Sequence, residues 1–128
     1  MPSSLEGKII LIVDDDPDIV TTISAGLTPL GATLESAHDG ATAVTKAEQL
    51  DPDLVILDIM LPQKSGFLVL EKIRQTRPRG SKPFVIMITG NEGRRHRQYA
   101  EALGVNEYLT KPFRMERLIE VTAKLLSQ

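Results

Sequence analysis

Cysteine is absent from the 128 residues, which excludes disulfides, thiolate nucleophiles and thiolate-held metals. No apolar run approaches the roughly 20 residues that a membrane span requires. The N-terminal stretch MPSSLEGK lacks the apolar core of a secretory signal. A cytoplasmic location, with no membrane contact, is therefore expected. An excess of one charge is also missing: the formal net charge is −2, which gives no general drive toward nucleic acid or acidic membranes. The one basic concentration is Arg94-Arg95-His96-Arg97, with Arg77, Arg79 and Lys82 nearby. It has no interleaved aromatics, so it reads as a solvated helix face, with His96 in solvent, and no direct nucleic-acid contact is expected. There is no linker, repeat or low-complexity tract. What remains is an ordinary globular composition, 41% hydrophobic and 25% charged, of a length suited to one domain.

Along the chain, strand and helix signals alternate five times. Residues 8–13 are a short apolar run that reads as a strand buried on both faces. Asp16 followed by Pro17 starts a helix, with Ile19, Val20, Ile23, Leu27 and Leu30 at helical spacing. Pro29 ends its regular hydrogen bonding early, and Gly31 stops it. Residues 32–37 alternate and suit a half-exposed strand near a sheet edge. After Asp39-Gly40, a helix runs to about Leu50 with Val44, Ala47 and Leu50 inward, and Asp51-Pro52-Asp53 breaks it. Residues 53–58 form the third strand. Past Ser65-Gly66, a helix with Phe67, Leu70 and Ile73 inward reaches about Arg77. Residues 84–88 are a fourth buried strand, 93–103 a polar, basic helix, and 106–109 a short fifth strand. Met115, Leu118, Ile119, Thr122, Leu125 and Leu126 mark a last amphipathic helix. This order predicts an α/β fold, a doubly wound, five-stranded parallel sheet of (βα)5 type. In the flavodoxin-like strand order 2-1-3-4-5, which is the one expected, strands one, three, four and five, whose ends carry polar residues, are neighbours.

Two of the apolar runs end in acids. Asp14-Asp15-Asp16 closes the first, and Asp58 closes the third strand. Open α/β sheets bind ligands at the carboxyl ends of their strands, so these acids surround one point. Clustered carboxylates repel one another and are tolerated mainly around a hard cation. Thr89 follows the fourth strand and Lys111 the fifth, on the same edge. Three carboxylates there match an octahedral magnesium site that keeps several waters. A hydroxyl and an ammonium beside it form a clamp for phosphoryl oxygens, and a carboxylate can act as the nucleophile. Singly, each residue has an ordinary explanation: an acid after a strand commonly caps a helix, as Asp16 is expected to do. A threonine ending a strand is more often structural, and a lone lysine is usually a surface residue. Their projection from one sheet edge is what joins them.

The strings ILIVDDDPDI, DLVILDIMLPQKSG, VIMITG and YLTKPF resemble those of the receiver (CheY-like) domain of two-component response regulators. The resemblance runs from about Lys8 to Leu126, so residues 1–128 are expected to be a single receiver domain with its core at about 8–126. It implies that Asp58 is the phosphoacceptor and that Asp14 and Asp15 are the acidic pair. Asp15 and Asp58 would ligate Mg2+ directly, Asp14 mainly through water, and the backbone carbonyl of Met60 would complete the protein ligands. Thr89 and Lys111 would contact the phosphoryl oxygens. A cis Lys111–Pro112 bond is implied, as are roles for Pro62 and Gly66 in shaping the loop after Asp58. Tyr108 matches the family's switch aromatic: its ring would turn inward as Thr89 moves toward the phosphoryl group, remodelling the face of the fourth helix, fifth strand and fifth helix.

The resemblance further implies a signalling module that catalyses only its own phosphorylation and dephosphorylation. A sensor histidine kinase or histidine phosphotransfer protein would supply the phosphoryl group. The readout would be a downstream protein, a fused output domain, or a homodimer formed on phosphorylation. Gly90 stands where alanine is usual in the family, and Met60 and Asn91 occupy positions that govern water access to the aspartyl phosphate. An apolar Met60 cannot orient an attacking water, so a phosphoryl lifetime at least as long as in relatives with polar groups there is expected. Two other classes compete. Asp14-x-Asp16 resembles the nucleophile–acid spacing of haloacid-dehalogenase-like phosphohydrolases, although such enzymes need more chain for a substrate cap. A pseudo-receiver used only for binding would be expected to lack Asp58 or Lys111.

Overall fold

Alternate side chains of the apolar runs leave the sheet in opposite directions, and this sets the layering. The computed structural model describes residues 5–61, 65–77, 82–90 and 94–127. Its strands are Ile9–Val13 (β1), Thr33–Ala37 (β2), Leu54–Asp58 (β3), Phe84–Thr89 (β4) and Glu107–Thr110 (β5). Leu11, Val13, Val55, Leu57, Val85 and Met87 enter one core, while Ile10, Ile12, Leu54, Ile56, Ile86 and Ile88 enter a second. Both faces of β1, β3 and β4 are thus apolar, which is why these runs show no alternation of polar and apolar residues.

Five helices cover the two faces: Pro17–Leu27 (α1), Gly40–Leu50 (α2), Gly66–Thr76 (α3), Arg94–Leu103 (α4) and Met115–Leu126 (α5). α2, α3 and α4 pack on the first core through Ala43, Val69, Leu70, Ile73 and Ala100. α1 and α5 pack on the second through Ile23, Leu27, Leu118, Val121 and Leu125. Every strand pairing is parallel and the order is β2-β1-β3-β4-β5. The expected topology is therefore the one observed. Right-handed crossovers explain the division of helices: the chain moves one way from β1 to β2 and the other way from β2 to β5, so α1 falls on the face opposite α2–α4.

Local signals hold at several ends. Asp16 accepts from the Asp18 amide at 2.9 Å, with Pro17 in the first turn of α1. Pro29 lies in a 3-10 turn, Thr28–Leu30, and Gly31 follows with φ of 94°. β2 is a half-exposed edge strand. The apolar stripes are less exact. α2 centres on Ala43, with Val44 and Ala47 at the rim and Leu50 in neither core. α3 adds Val69, and α5 adds Val121. At 100° per residue a sequence marks the stripe but not its centre, which depends on how the helix rolls against the sheet. Lys111–Pro112 is cis, as the resemblance implied, and Lys82–Pro83 is cis as well. Pro62, Arg79, Asn91 and Gly93 lie outside the described residues.

Candidate functional site

β1 delivers its three aspartates to different places. Asp14 is only 3% exposed. Its amide donates to the Ala37 carbonyl at 3.2 Å, and its own carbonyl lies 3.3 Å from His38 Nδ1, so the end of β2 holds it on both sides. Its Oδ1 accepts from the Asp16 amide at 2.9 Å, which closes the turn into α1. Asp15 is exposed on the sheet edge, and Asp16 is occupied as the helix cap. The triplet therefore divides into a buried anchor, an exposed acid and a cap.

Asp58 ends β3 at 6% exposed, and its Oδ1 faces the Met60 amide at 3.4 Å. The loop behind it is pinned where the Gly66 amide donates to the Ile59 carbonyl at 2.8 Å. A Cβ on Gly66 would strike the Asp58 carbonyl oxygen and come within 2.7 Å of Ile59 Cα, so only glycine lets α3 start this close. Thr89 is fully buried at the end of β4, and its carbonyl accepts from the Lys111 amide at 2.7 Å. Beside it, a Cβ on Gly90 would meet none of the described residues within 4 Å.

Lys111 crosses the cluster. Its Nζ lies 3.1 Å from Asp14 Oδ2 and 3.5 Å from Asp58 Oδ2. Asp14, Asp15 and Asp58 each offer a carboxylate oxygen within 4.8 Å of the other two. Among the described residues, this group of three carboxylates has one ammonium paired to it, Lys111, which reaches Asp14 and Asp58. Burial, and then the charge of Asp14, push the Asp58 carboxyl above its ordinary range, with Lys111 partly offsetting them. For Lys111, burial acts to lower the pKa, but the hydrogen bond to Asp14 and the charges of Asp58 and Asp14 outweigh it and hold the ammonium above its usual value. An all-oxygen set with surplus negative charge fits a hard divalent cation.

Tyr108 lies on β5 at 7% exposed, inside the core under α2–α4, with the Arg97 guanidinium 5.8 Å from its ring centroid. Burial raises its hydroxyl pKa and the Arg97 charge opposes that. The ring is thus already inward. His96 is not the solvated residue expected. It is half-buried, stacked on Phe67 at 5.9 Å with the rings 4° apart, while Tyr99 meets Phe67 edge-on at 4.8 Å. Nor do Arg77 and Lys82 join the α4 basic face: both reach Asp51, at 2.8 and 3.5 Å. Residues missed in the sequence include His38, which touches the Asp14 carbonyl, and Arg74. The latter ties α3 to the Gly104 and Pro83 carbonyls and to Asn106 at 2.8–3.0 Å. No periodicity or local motif marks either.

Comparison with known proteins gives a consistent picture. The sequence model of the family described as response regulator receiver domain matches residues 10–123. The chain is 37% identical over 117 residues to the DNA-binding dual master transcriptional regulator RpaA of Synechocystis, covering 91% of this chain and 48% of that protein. It is 37% identical over 106 residues to the alkaline phosphatase synthesis transcriptional regulatory protein PhoP of Bacillus subtilis, covering 83% and 43%. It spans about half the length of these relatives. Among solved structures, a CheY-like receiver domain protein from Methanospirillum hungatei superposes with TM-score 0.85 at 32% identity, covering 94% of each chain. The BeF3-activated DrrB receiver domain also gives 0.85, at 29% identity, covering 94% of this chain and 98% of that one.

Proposed function

This chain belongs to the response regulator receiver domain family, and from that premise we propose that Asp58 accepts a phosphoryl group at the site built by Asp14, Asp15, Thr89 and Lys111. The observation that carries this reading is the Lys111 ammonium standing between Asp14 and Asp58, at 3.1 and 3.5 Å, in a cluster that keeps a surplus of negative charge. Residues 1–128 are read as one receiver domain. Asp15 and Asp58 would hold Mg2+ directly, Asp14 mainly through water, and the Met60 carbonyl would complete the protein ligands. The bound ion supplies charge neutralisation to the carboxylates and to the incoming phosphoryl oxygens.

The donor is a phosphohistidine on a sensor kinase or phosphotransfer protein. An Asp58 oxygen attacks phosphorus, the new P–O bond forms as the P–N bond breaks, and the imidazole leaves. Lys111 already lies beside the attacking carboxylate, so it shifts from a carboxylate to a phosphoryl oxygen without crossing the site. Thr89, fully buried at the end of β4, supplies a hydroxyl to the same group. The chain catalyses only this transfer and the later hydrolysis of its aspartyl phosphate, in which water attacks phosphorus and inorganic phosphate leaves, as a signalling module.

Output follows from the same elements. The Lys111 amide on the Thr89 carbonyl couples β4 to β5, and Tyr108 sits on β5 beneath Arg97 of α4. Movement of Thr89 therefore changes the packing of the α4–β5–α5 face, which is read by a partner, an output domain or a second copy. The regulators named above are transcriptional. Their transcriptional activity, and the DNA binding named for RpaA, belong to those longer proteins, and for these residues direct nucleic-acid contact is not proposed. No helix among the described residues is long and apolar enough to cross a membrane, and the proposed setting is the cytoplasm.

Incubation with Mg2+ and acetyl phosphate, read by intact mass, tests the proposal. The expected result is a gain of one phosphoryl group that Asp58→Asn abolishes. Turnover of phosphate esters without accumulation would favour a phosphohydrolase instead, and no adduct with any donor would leave a binding module.

A further inference from the structure

Met60 carries the most exposed large apolar side chain among the described residues, at 70%. It is not an ordinary surface position. Its amide faces Asp58 Oδ1 at 3.4 Å, and the Gly66–Ile59 hydrogen bond of 2.8 Å pins the same loop. Met60 is thus exposed to water on the loop leaving Asp58, with its backbone amide at the rim of the carboxylate cluster. The other described methionines are shielded. Met87 is fully buried in the sheet, and Met115 is half-buried with its methyl group packed against Gly26. Core packing therefore accounts for Met87 and Met115 but not for Met60.

We infer that Met60 is an oxidation site whose state sets how long Asp58 keeps its phosphoryl group, an inference that rests on Asp58 being the acceptor. The co-reactant is a hydroperoxide such as hydrogen peroxide. With hydrogen peroxide, the sulfur lone pair attacks one oxygen, an S–O bond forms, the O–O bond breaks, and the departing hydroxide takes the proton from the sulfur-bound oxygen, leaving the sulfoxide and water. Sulfur loses two electrons and the peroxide gains them. The change matters because of where it occurs. A thioether is a weak acceptor and holds no water in place. A sulfoxide oxygen is a strong one, and at this rim it holds a water within reach of a phosphorus on Asp58. Oxidation converts a site that excludes an oriented water into one that supplies it, and so shortens the phosphorylated state. The modification is reversible by methionine sulfoxide reductases.

The test uses the whole chain. Brief treatment with dilute hydrogen peroxide, followed by peptide mass mapping, is expected to add oxygen at Met60 well before Met115 or Met87. Treated and untreated protein are then loaded with acetyl phosphate and Mg2+ and moved to donor-free buffer, and adduct decay is followed by intact mass. Decay is expected to be severalfold faster after oxidation and to return to the untreated rate after reductase treatment. Met60→Leu should make decay insensitive to peroxide, and Met60→Gln should decay fast without it. Oxidation of Met60 no faster than Met115, or acceleration that persists in Met60→Leu, overturns the inference. Unchanged decay of an adduct that does form overturns this inference alone, whereas no adduct on untreated protein overturns the acceptor assignment and this inference with it.

Discussion

The Lys111 ammonium and the Asp14 carboxylate, 97 residues apart in the chain, meet at 3.1 Å. The same ammonium reaches Asp58 at 3.5 Å, so one cation from the end of β5 stands against acids from β1 and β3. The carboxylates outnumber it, and the consequences of that imbalance can be measured.

Asp58 is the group that bears the cost. Burial, then the charge of Asp14, raise its carboxyl pKa above the ordinary 3.8. A carboxyl whose folded value is raised favours the fold while protonated, below about its unfolded value. That contribution is lost as pH rises through the folded value. Ionised Asp58 is therefore a net burden at neutral pH, and Asp58→Asn should raise Tm at pH 7 in chelator-treated buffer. The gap should close as pH is lowered toward 3.8. A variant less stable than the parent at pH 7 would refute this.

Lys111→Met leaves Asp14 and Asp58 facing each other without a cation. Losing one partner of a fully buried pair costs roughly 3–5 kcal/mol, and the partial solvation of Lys111 reduces the expected loss to about 2 kcal/mol. Urea denaturation with and without Mg2+ checks it. The cleft of the variant is one charge more negative, so Mg2+ should recover more stability there than in the parent.

Two glycines flank the site with opposite expectations. Gly66→Ala forces a methyl against the Asp58 carbonyl oxygen and within 2.7 Å of Ile59 Cα. It should cost about 1–3 kcal/mol by overpacking and weaken the stabilisation by Mg2+ as the loop shifts. Gly90→Ala meets none of the described residues within 4 Å and should stay within about 0.5 kcal/mol of the parent. Thermal melts of both variants with and without Mg2+ separate a local clash from general fragility.

In α5 the Thr122 hydroxyl is buried in the core with no hydrogen-bond partner among the described residues. Thr122→Val keeps the branched shape and removes the stranded polar group, and should stabilise the fold by about 1 kcal/mol in urea denaturation. A loss of stability would show that the hydroxyl has an acceptor or an ordered water.

Much of the site was readable because of how parallel strands are buried. β1, β3 and β4 are covered on both faces, so their interiors must be apolar and the first polar residue marks the sheet edge. That placed Asp14, Asp58 and Thr89, and the spacing of Asp16, Pro17 and Asp18 marked Asp16 as a cap. His96 was misread because a histidine within a basic run carries no sign of the aromatic ring that covers it. Phe67, which does so at 5.9 Å, lies on α3. Arg77 and Lys82 were grouped with α4 by sequence proximity, yet Asp51 at the far end of α2 holds both.

The sequence by itself determined the alternating α/β order and the residues at the carboxyl edge, because apolar runs and helix caps are local, while the strand pairings of β2-β1-β3-β4-β5 are contacts between distant segments. Only the tertiary structure decided that Lys111 spans Asp14 and Asp58, that Tyr108 already lies inward beneath Arg97, and that Met60 stands in solvent while Met87 and Met115 are shielded. Those facts depend on how five helices settle around one sheet, and contacts made across α3, α4 and β5 leave no periodic trace in the chain that makes them.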